Sequence, residues 1–282
     1  MPMDALPTLL PLLDKARAFL AGKGIANARR EAEWIFAETL GLQRIDLYTG
    51  FDRPLTPAEV DRLRDRTTRR GKREPLAYVL GRQPFRSLDL AVGPGVLVPR
   101  PETEELVDVA LGLPGPEPRR VLDVGTGSGA IALAVRQERP TWPVTATDAS
   151  AAALTIARGN AERLGLAVDF HHGDLANHLS GPFDLVLANL PYVAEGERAL
   201  CDPETAFEPA EALFSPDQGV AHMARLAADL PRILAPGGFA VFEHGFRQGE
   251  AVRGLAPVGW TAETRRDGAG QERITILGRP GA

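Results

Sequence analysis

The chain of 282 residues contains 44% hydrophobic and 24% charged residues, a composition typical of a folded globular protein. Its formal net charge of -5 argues against stable nucleic-acid binding, because such binding needs many Lys and Arg contacts to phosphate. A single cysteine, Cys201, excludes an intrachain disulfide, and no segment reaches the ~20 apolar residues of a membrane helix. The start of the chain has no signal-peptide pattern. We predict a cytoplasmic protein with no membrane partner, and we expect a monomer.

Residues 1–80 carry the pattern of a small all-helical domain, which we interpret as a substrate-docking domain. Apolar residues recur at helical spacing from Leu6 to Leu20, and a second helix fits Ala28 to Leu40. A third helix begins at Thr56-Pro57-Ala58-Glu59, where Thr56 and Glu59 form a capping box, and it ends near Gly71.

The third helix is rich in basic side chains. They are Arg62, Arg64, Arg66, Arg69, Arg70, Lys72 and Arg73. One interpretation is a solvated helix face, and the other is a docking surface for an acidic partner such as a ribosome-associated factor. The sequence leaves both interpretations open.

Residues 81–100 predict a β-hairpin that links the helical domain to a second domain. Leu88, Leu90 and Val92 alternate with other positions, Gly93-Pro94-Gly95 indicates a turn, and Val96–Val98 would form the returning strand.

Residues 101–282 alternate strands and helices, which is typical of a parallel sheet covered on both faces. The predicted strands are Val121–Val124, Val144–Asp148, Val168–His172, Phe183–Asn189, Gly238–Glu243, Thr261–Arg265 and Arg273–Leu277. The predicted helices are Pro101–Leu111, Ala130–Glu138, Ala151–Gly165, Gly219–Leu234 and Gln248–Leu255. The last two strands have no helix between them and predict an antiparallel edge, so the fold class is α/β with a seven-stranded mixed sheet.

A glycine-rich loop follows the first of these strands. It consists of Gly125, Thr126, Gly127, Ser128 and Gly129. Such a loop lets the backbone approach a nucleotide-like cofactor and turn into a helix. With Ala130 it also satisfies the dinucleotide-binding fingerprint, so the loop alone leaves nicotinamide and S-adenosylmethionine (SAM) enzymes open.

Three further residues are candidates for cofactor binding. Asp148 ends the second strand of the sheet, where an acidic side chain accepts hydrogen bonds from ribose hydroxyls, or where it could cap the next helix. Asp174 and Leu175 follow the third strand and would flank an adenine ring, although Asp174 could be a plain loop residue. We expect no metal at the nearby His171 and His172, because no companion ligands are suitably spaced.

The segment Asn189-Leu190-Pro191-Tyr192 is the candidate catalytic and substrate-binding site. It follows a buried strand, so it would lie at the carboxyl edge of the sheet, near the glycine loop. The Asn189 side-chain oxygen and the Leu190 carbonyl could accept the two N–H groups of a planar amide, with Pro191 holding Leu190 extended. Tyr192 offers a ring face to the amide and to a sulfonium. We therefore predict methyl transfer from SAM to nitrogen.

The chain resembles the peptide chain release factor glutamine N5-methyltransferases, the HemK/PrmC family. The matching segments are Glu74–Tyr78, Val98–Glu104, Leu122–Ala132, Asn189–Tyr192, Phe207–Pro209 and Glu243–Gly245. The resemblance implies a Rossmann-like class I SAM-dependent methyltransferase domain over 101–282, with SAM at Gly125–Gly129, Asp148, Leu175 and Asn189. It also implies that the substrate is the glutamine in the Gly-Gly-Gln motif of bacterial release factors.

Leu190 departs from the family's usual Asn-Pro-Pro-Tyr motif. The carbonyl that the chemistry needs belongs to the backbone and is kept, while some rigidity is lost. Alternatives with a similar motif are the ribosomal-protein L3 glutamine methyltransferases and, less similar, the DNA adenine-N6 methyltransferases, which usually have a basic cleft and a target-recognition domain. A nicotinamide-dependent oxidoreductase is an alternative of another class.

Overall fold

The computed structural model describes residues 6–281, which fall into two compact units. The first unit contains the described residues up to Gly81 together with Pro203–Phe207, and the second contains Arg82–Asp202 and the chain from Glu208 onward. The sequence prediction had assigned residues 203–207 to the second domain.

The first unit is helical in its described part. Its helices are α1 (Leu9–Gly22), α2 (Ala28–Leu40), α3 (Asp46–Thr49), α4 (Pro57–Gly71) and α5 (Leu76–Leu80). The three helices predicted from the sequence are confirmed as α1, α2 and α4. The short α3 and α5 were not predicted, because one turn of helix carries too little periodicity to be recognised.

Local signals explain the ends of these helices. Glu59 N donates to Thr56 Oγ1 and Thr56 N donates to Glu59 Oε2, which is the predicted capping box. Gly41 ends α2 in a left-handed conformation. Asn27 precedes α2 but makes no side-chain capping hydrogen bond.

A buried acid ties the first helices together. Glu33 is 1% exposed and accepts hydrogen bonds from Arg17, Arg29, Arg44 and Tyr48. Burial alone would raise the pKa of Glu33, but the hydrogen bonds from Tyr48 and the arginines lower it to about 2.

Most of the basic side chains of α4 are engaged within the first unit. Arg70 is 6% exposed and pairs with Glu31 and Glu204, and Arg73 also pairs with Glu204. These ion pairs hold the segment Pro203–Phe207 in the helical unit. Arg69 likewise pairs with an acid of the same unit, whereas Arg62 and Arg64 stay exposed.

The β-hairpin is confirmed, but its predicted turn is wrong. Strands β1 (Arg82–Phe85) and β2 (Leu88–Ala91) pair antiparallel, and the chain turns at Arg86 and Ser87 rather than at Gly93–Gly95. Arg86 adopts φ 52°, and its backbone N–H donates to the Glu104 carboxylate. This contact to a distant helix stabilises a turn that has no glycine.

The second unit is built on a seven-stranded sheet. Its strands are β3 (Val121–Val124), β4 (Val144–Asp148), β5 (Asp169–His172), β6 (Phe183–Ala188), β9 (Leu234–Glu243), β10 (Thr261–Arg266) and β11 (Glu272–Gly278). The order is β10-β11-β9-β6-β3-β4-β5, with β9, β6, β3, β4 and β5 parallel and the last two strands of the chain antiparallel at one edge. The α/β class and the mixed sheet are confirmed.

Helices cover both faces of this sheet. They are α6 (Pro101–Gly112), α7 (Ala130–Glu138), α8 (Ala151–Leu164), α9 (Ala221–Ile233) and α10 (Gly249–Arg253). Alternate residues of β6 face opposite sides of the sheet and belong to different hydrophobic cores. Leu185 and Leu187 pack with α6 and α7, whereas Val186 and Ala188 pack with α9. A short parallel pair, β7 (Val193–Ala194) and β8 (Phe214–Ser215), was not predicted.

Across residues 6–281, none of the helices has the length and apolar character that crossing a bilayer requires.

Candidate active site

A cavity of about 500 Å³ opens at the carboxyl ends of β3, β4 and β6. The residues that line it are Gly95, Val96, Leu97, Pro99, Thr103, Gly125, Thr126, Gly127, Ser128, Ala130, Ile131, Asp148, Ala149, Ser150, Ala153, Asn189, Pro209, Glu211, Ala212, Phe214 and His222. The cavity therefore brings together the glycine loop, Asp148 and Asn189, three of the features predicted from the sequence.

Strand register explains why these features meet. Val124 of β3 is paired with Thr147 of β4 on one side and with Ala188 of β6 on the other. The residues that follow Val124, Thr147 and Ala188 leave the sheet at the same edge. The chain continues from β3 to β4 on one side, whereas β6 lies on the other side of β3, so the strand order reverses here.

The glycine loop is held by the backbone and closely approached by the acceptor motif. Gly125 and Thr126 donate their N–H groups to the Thr147 carbonyl. Gly125 has φ 76°, and a Cβ there would lie 2.9 Å from Leu190 Cδ2. Gly125 therefore suits both the left-handed turn and the close packing of Leu190 against the loop.

Asp123 is a buried acid that binds the glycine loop, and the sequence analysis included it only within a segment of family resemblance. Its Oδ2 accepts hydrogen bonds from Thr126 Oγ1 at 2.6 Å and from Ala132 N at 3.2 Å. Burial raises the pKa of Asp123 to about 7. An acid inside an apolar strand, two positions before the first glycine of the loop, was the available signal.

Asp148 shapes the cavity through two backbone contacts. Its Oδ2 accepts from Gly127 N and its Oδ1 from Ser150 N, each at 2.8 Å. Burial raises its pKa despite these hydrogen bonds. The cap of α8 is Ser150, whose hydroxyl accepts from Ala153 N, so Asp148 is not needed as a helix cap.

Asp174 and Leu175 are not among the residues that line the cavity. Asp174 pairs with Arg225 on α9, and Leu175 packs against the core beneath α9. His222 lines this side instead, a position that the sequence analysis did not single out. No cluster of potential metal ligands occurs among residues 6–281.

The acceptor motif is tied to neighbouring elements at both ends. Asn189 Nδ2 donates to Thr103 Oγ1 of α6 at 3.0 Å. Tyr192 OH donates to Glu243 Oε1, at the end of β9, at 3.3 Å. Between them the Leu190 side chain is 4% exposed and packs in the core.

Glu243 is the second buried acid of the site. It is 1% exposed, and burial raises its pKa to about 7, although interactions with Thr103, Tyr192 and Arg273 oppose that rise. Its place follows from register, because Ala188 is paired with Phe242. Thr103 and Glu243 were noted only within segments of family resemblance.

The Tyr192 backbone has its own support. Gln248 Nε2 donates to the Tyr192 carbonyl at 2.8 Å. Asp217, Gln218 and Gly219 are all left-handed, and a Cβ at Gly219 would lie 2.0 Å from the Tyr192 carbonyl oxygen. Only glycine fits at position 219 without displacing the motif.

A third buried acid holds the wall of the cavity. Glu208 accepts from Val98 N at 2.9 Å and from Arg100 Nη2 at 2.5 Å. These contacts fix the segment 96–100 that follows the hairpin and contributes Val96, Leu97 and Pro99 to the lining.

Comparisons with known proteins agree with this architecture. Residues 11–81 match the PrmC N-terminal domain model, and residues 108–217 match the methyltransferase small domain model. A methyltransferase structure from Pyrococcus furiosus is 20% identical, covers 70% of this chain and 91% of that chain, and has a TM-score of 0.54. At that identity the likeness shows the fold.

Two relatives of similar length carry the same name. Release factor glutamine methyltransferase from Geobacter sulfurreducens is 40% identical over 250 residues, covering 88% of each chain. The protein of the same name from Xylella fastidiosa, strain Temecula1, is 42% identical over 269 residues, covering 94% of this chain and 98% of its own.

The fold and the site define a SAM-dependent methyltransferase of the Rossmann-like class. Within that class, the chain belongs to the release factor glutamine methyltransferase family. Its cofactor is SAM, which decides between the two cofactor classes that the glycine loop had left open.

The cavity fits this cofactor. Its volume lies within the range of about 300–1,000 Å³ typical of small-molecule sites. Gly127 leaves open space where a side chain would stand, since no atom lies within 4 Å of an added Cβ. Asp148 supplies a carboxylate beside that space, while Val96, Ile131 and Phe214 supply apolar surface.

Proposed function

We propose that the protein transfers a methyl group from SAM to the side-chain amide nitrogen of the glutamine in the Gly-Gly-Gln motif of bacterial release factors. The observation that carries the proposal is the Asn189 side chain in the wall of the cavity, beside the glycine loop. Its Nδ2 is bound to Thr103, which leaves Oδ1 as the acceptor for a substrate N–H.

The chemistry requires an amide nitrogen to be made nucleophilic. Its lone pair is delocalised into the carbonyl, so acceptors on its two N–H groups would favour charge on nitrogen. We assign these acceptors to Asn189 Oδ1 and the Leu190 carbonyl. Pro191 restricts Leu190 to extended geometry, which holds that carbonyl in place.

The cofactor is assigned to the loop Gly125–Gly129 and to Asp148. SAM supplies, when bound, a methyl group activated by the positive sulfur. The protein then has to orient the amide and exclude water rather than supply a strong base, because a proton can leave once nitrogen carries positive charge. The Tyr192 ring would pack against the amide while its hydroxyl stays bound to Glu243.

Leu190 replaces the proline that the family usually carries here. The buried side chain packs against Gly125 and so links the acceptor motif to the cofactor loop. This packing supports the view that the substitution preserves function.

We infer that the helical unit docks the release factor. Residues 11–81 match a family model of their own, and every residue that lines the cavity belongs to the second unit. A docking role gives the first unit a task separate from catalysis. We also infer a monomer that acts in the cytoplasm, where release factors function.

A methyl-transfer assay tests the proposal. The protein is incubated with SAM and a purified release factor, and the tryptic peptides are analysed by mass spectrometry. We expect one added methyl on the glutamine of the Gly-Gly-Gln motif. Ribosomal protein L3 and duplex DNA, offered separately under the same conditions, test the alternative acceptors, and methylation of either instead of the release factor would contradict the proposal.

Asn189→Ala separates the acceptor role from folding. We expect methyl transfer to fall by ~100-fold or more, the scale for removing one polar group that stabilises a transition state. SAM binding, measured by calorimetry, should remain. Asn177→Ala, at an exposed asparagine outside the cavity lining, is the matched control. Full activity of Asn189→Ala would refute the acceptor assignment.

A further inference from the structure

We infer that Gln248 is a positioning residue that fixes the backbone of Tyr192 and, through it, the direction of the Tyr192 ring. The inference rests on the proposed function, because it takes that ring as the surface against which the substrate amide packs. Gln248 lies 56 positions further along the chain than Tyr192, directly before α10, so the two residues meet only in the folded unit.

The Gln248 side chain joins three separate segments of the chain. Its Nε2 donates to the Tyr192 carbonyl and to the Gln218 carbonyl, each at 2.8 Å. Its Oε1 accepts from Gly245 N, also at 2.8 Å. Both hydrogens of the carboxamide are therefore used, and its oxygen is bound as well.

The partners allow only one orientation of this carboxamide. The two carbonyls can only accept and the Gly245 N–H can only donate, so turning the carboxamide over would bring acceptors opposite acceptors and a donor opposite a donor. All three partners belong to the backbone. Gln248 therefore fixes the path of the chain at these points rather than the rotamer of a neighbouring side chain.

Gln248 is itself held by its own backbone. Its N–H donates to the Gly245 carbonyl at 2.8 Å, which closes a four-residue turn, and its carbonyl accepts from Val252 N at 2.9 Å in α10. The buried His244 also contacts the Gly245 carbonyl, through Nδ1 at 2.9 Å. The side chain thus extends from a fixed point just beyond β9, so it can hold Tyr192 in place.

The peptide group that follows Tyr192 is bound on both sides. Its carbonyl accepts from Gln248, and its N–H, which belongs to Val193, donates to the Leu213 carbonyl at 2.9 Å. Because a peptide group is planar, these two hydrogen bonds fix its plane and with it the backbone angle ψ of Tyr192. The bond from Tyr192 OH to Glu243 then holds the far end of the ring.

Gly219 leaves the space that this contact needs. An added Cβ at residue 219 would collide with Gln248 Nε2 as well as with the Tyr192 carbonyl. Gln218, whose carbonyl is the second acceptor, adopts φ 57°, which is unfavourable for a residue with a side chain. The hydrogen bond from Gln248 offsets part of that cost and keeps the loop close to the acceptor motif.

Two variants of the full-length protein test the inference. Gln248→Met keeps the length of the side chain and removes its three hydrogen bonds, whereas Gln248→Glu keeps the acceptor for Gly245 N and places a carboxylate against two carbonyls. We expect kcat per SAM-binding site to fall about 10- to 100-fold in each, the scale for a misplaced group. The Kd for SAM, measured by calorimetry, should stay within about threefold of wild type, because the residues assigned to the cofactor are unchanged.

A double variant shows whether Gln248 acts through Tyr192. If it does, Gln248→Met should lower kcat by less than about threefold in the Tyr192→Ala background, since no ring is left to position. An equal fold loss with and without the ring would overturn the inference. Gln137→Met is the matched control, because it removes one exposed hydrogen bond, from Ser87, and should leave kcat unchanged.

The remaining outcomes separate positioning from folding. Wild-type kcat in both Gln248→Met and Gln248→Glu would overturn the inference. A loss of SAM binding in both variants would also overturn it, since that would indicate that Gln248 supports the fold as a whole. Failure of the proposed function differs, because then the wild type would not methylate glutamine or Asn189→Ala would stay active.

Discussion

At the level of single residues, each polar side chain assigned to binding the cofactor or substrate already makes hydrogen bonds to other groups of the protein. Asp148 already accepts from Gly127 and Ser150, and Asn189 already donates to Thr103. These contacts hold each side chain in one orientation before a ligand arrives. The remaining acceptor sites, on the Asp148 oxygens and on Asn189 Oδ1, are therefore preorganised.

Replacing Asp148 tests the cofactor site most directly. Asp148→Ala removes the carboxylate assigned to the ribose hydroxyls and also the partner of Gly127 N. We expect SAM affinity to weaken by about 1–3 kcal/mol, roughly 5- to 150-fold in Kd by calorimetry. Asp169→Ala, at an exposed acid outside the cavity lining, should bind SAM normally. Unchanged affinity in Asp148→Ala would reject the assignment.

The sequence identified the residues whose type is itself unusual, and it missed those whose role comes from contacts. Glycines after a strand and an Asn-x-Pro-Tyr segment can be recognised from a single sequence. Thr103 and Glu243 contact Asn189 and Tyr192, respectively, only because α6 and β9 meet beside β6. No local pattern encodes that meeting.

At the level of elements, the segment that contains Gly219 supports the acceptor motif. An alanine there combines an unfavourable left-handed conformation with a clash against the Tyr192 carbonyl. We expect Gly219→Ala to lower kcat. We also expect it to lower the free energy of unfolding by more than the ~1–2 kcal/mol due to the backbone conformation alone.

Gly259 offers a matched control for this variant. It is also left-handed, but no atom lies within 4 Å of an added Cβ. Gly259→Ala should show the conformational cost in urea unfolding and keep full activity. Equal activity in the two variants would contradict a role for residue 219 in holding Tyr192.

The capping box of α4 gives a prediction for the helical unit. Thr56→Ala removes the side-chain acceptor for Glu59 N, and we expect a loss of about 1 kcal/mol in the free energy of unfolding. Thr8 also precedes a helix but makes no capping hydrogen bond, so Thr8→Ala should stay within about 0.5 kcal/mol of wild type. Equal losses of the free energy of unfolding in the two variants, measured by chemical denaturation, would show that the cap contributes nothing.

Elements with strong periodicity were predictable, and the hairpin shows where prediction failed. Gly93-Pro94-Gly95 is the stronger turn signal, yet the chain turns at Arg86 and Ser87. Arg86 is held by Glu104 and Glu138, which lie 18 and 52 positions further along the chain. The segment after β2 is instead drawn into the cavity wall by Glu208. The position of the turn and the path of the segment after β2 both depend on contacts between residues that are distant in the sequence.

At the level of the whole molecule, chemistry and docking are assigned to different units. Deleting residues 1–81 should leave SAM affinity within a few-fold of wild type, because all cavity-lining residues belong to the second unit. The KM for the release factor should rise at least about tenfold if the helical unit supplies docking contacts. An unchanged KM would remove the docking role.

The deletion also removes the partners of Glu204. Arg70 and Arg73 hold this residue in the helical unit, so the segment 203–207 loses its ion pairs when the unit is removed. Glu204→Gln in the full-length chain is the control for that loss. Its KM should stay near wild type, so that a rise in the deletion variant can be attributed to the missing helices.

The most direct measurement is a crystal structure with S-adenosylhomocysteine and a peptide that contains Gly-Gly-Gln. We expect the glutamine amide nitrogen to lie about 3 Å from both Asn189 Oδ1 and the Leu190 carbonyl oxygen, with its free face towards the sulfur of the bound product. A peptide glutamine bound away from Asn189, or a 189–192 segment directed away from the sulfur, would contradict methyl transfer at this site.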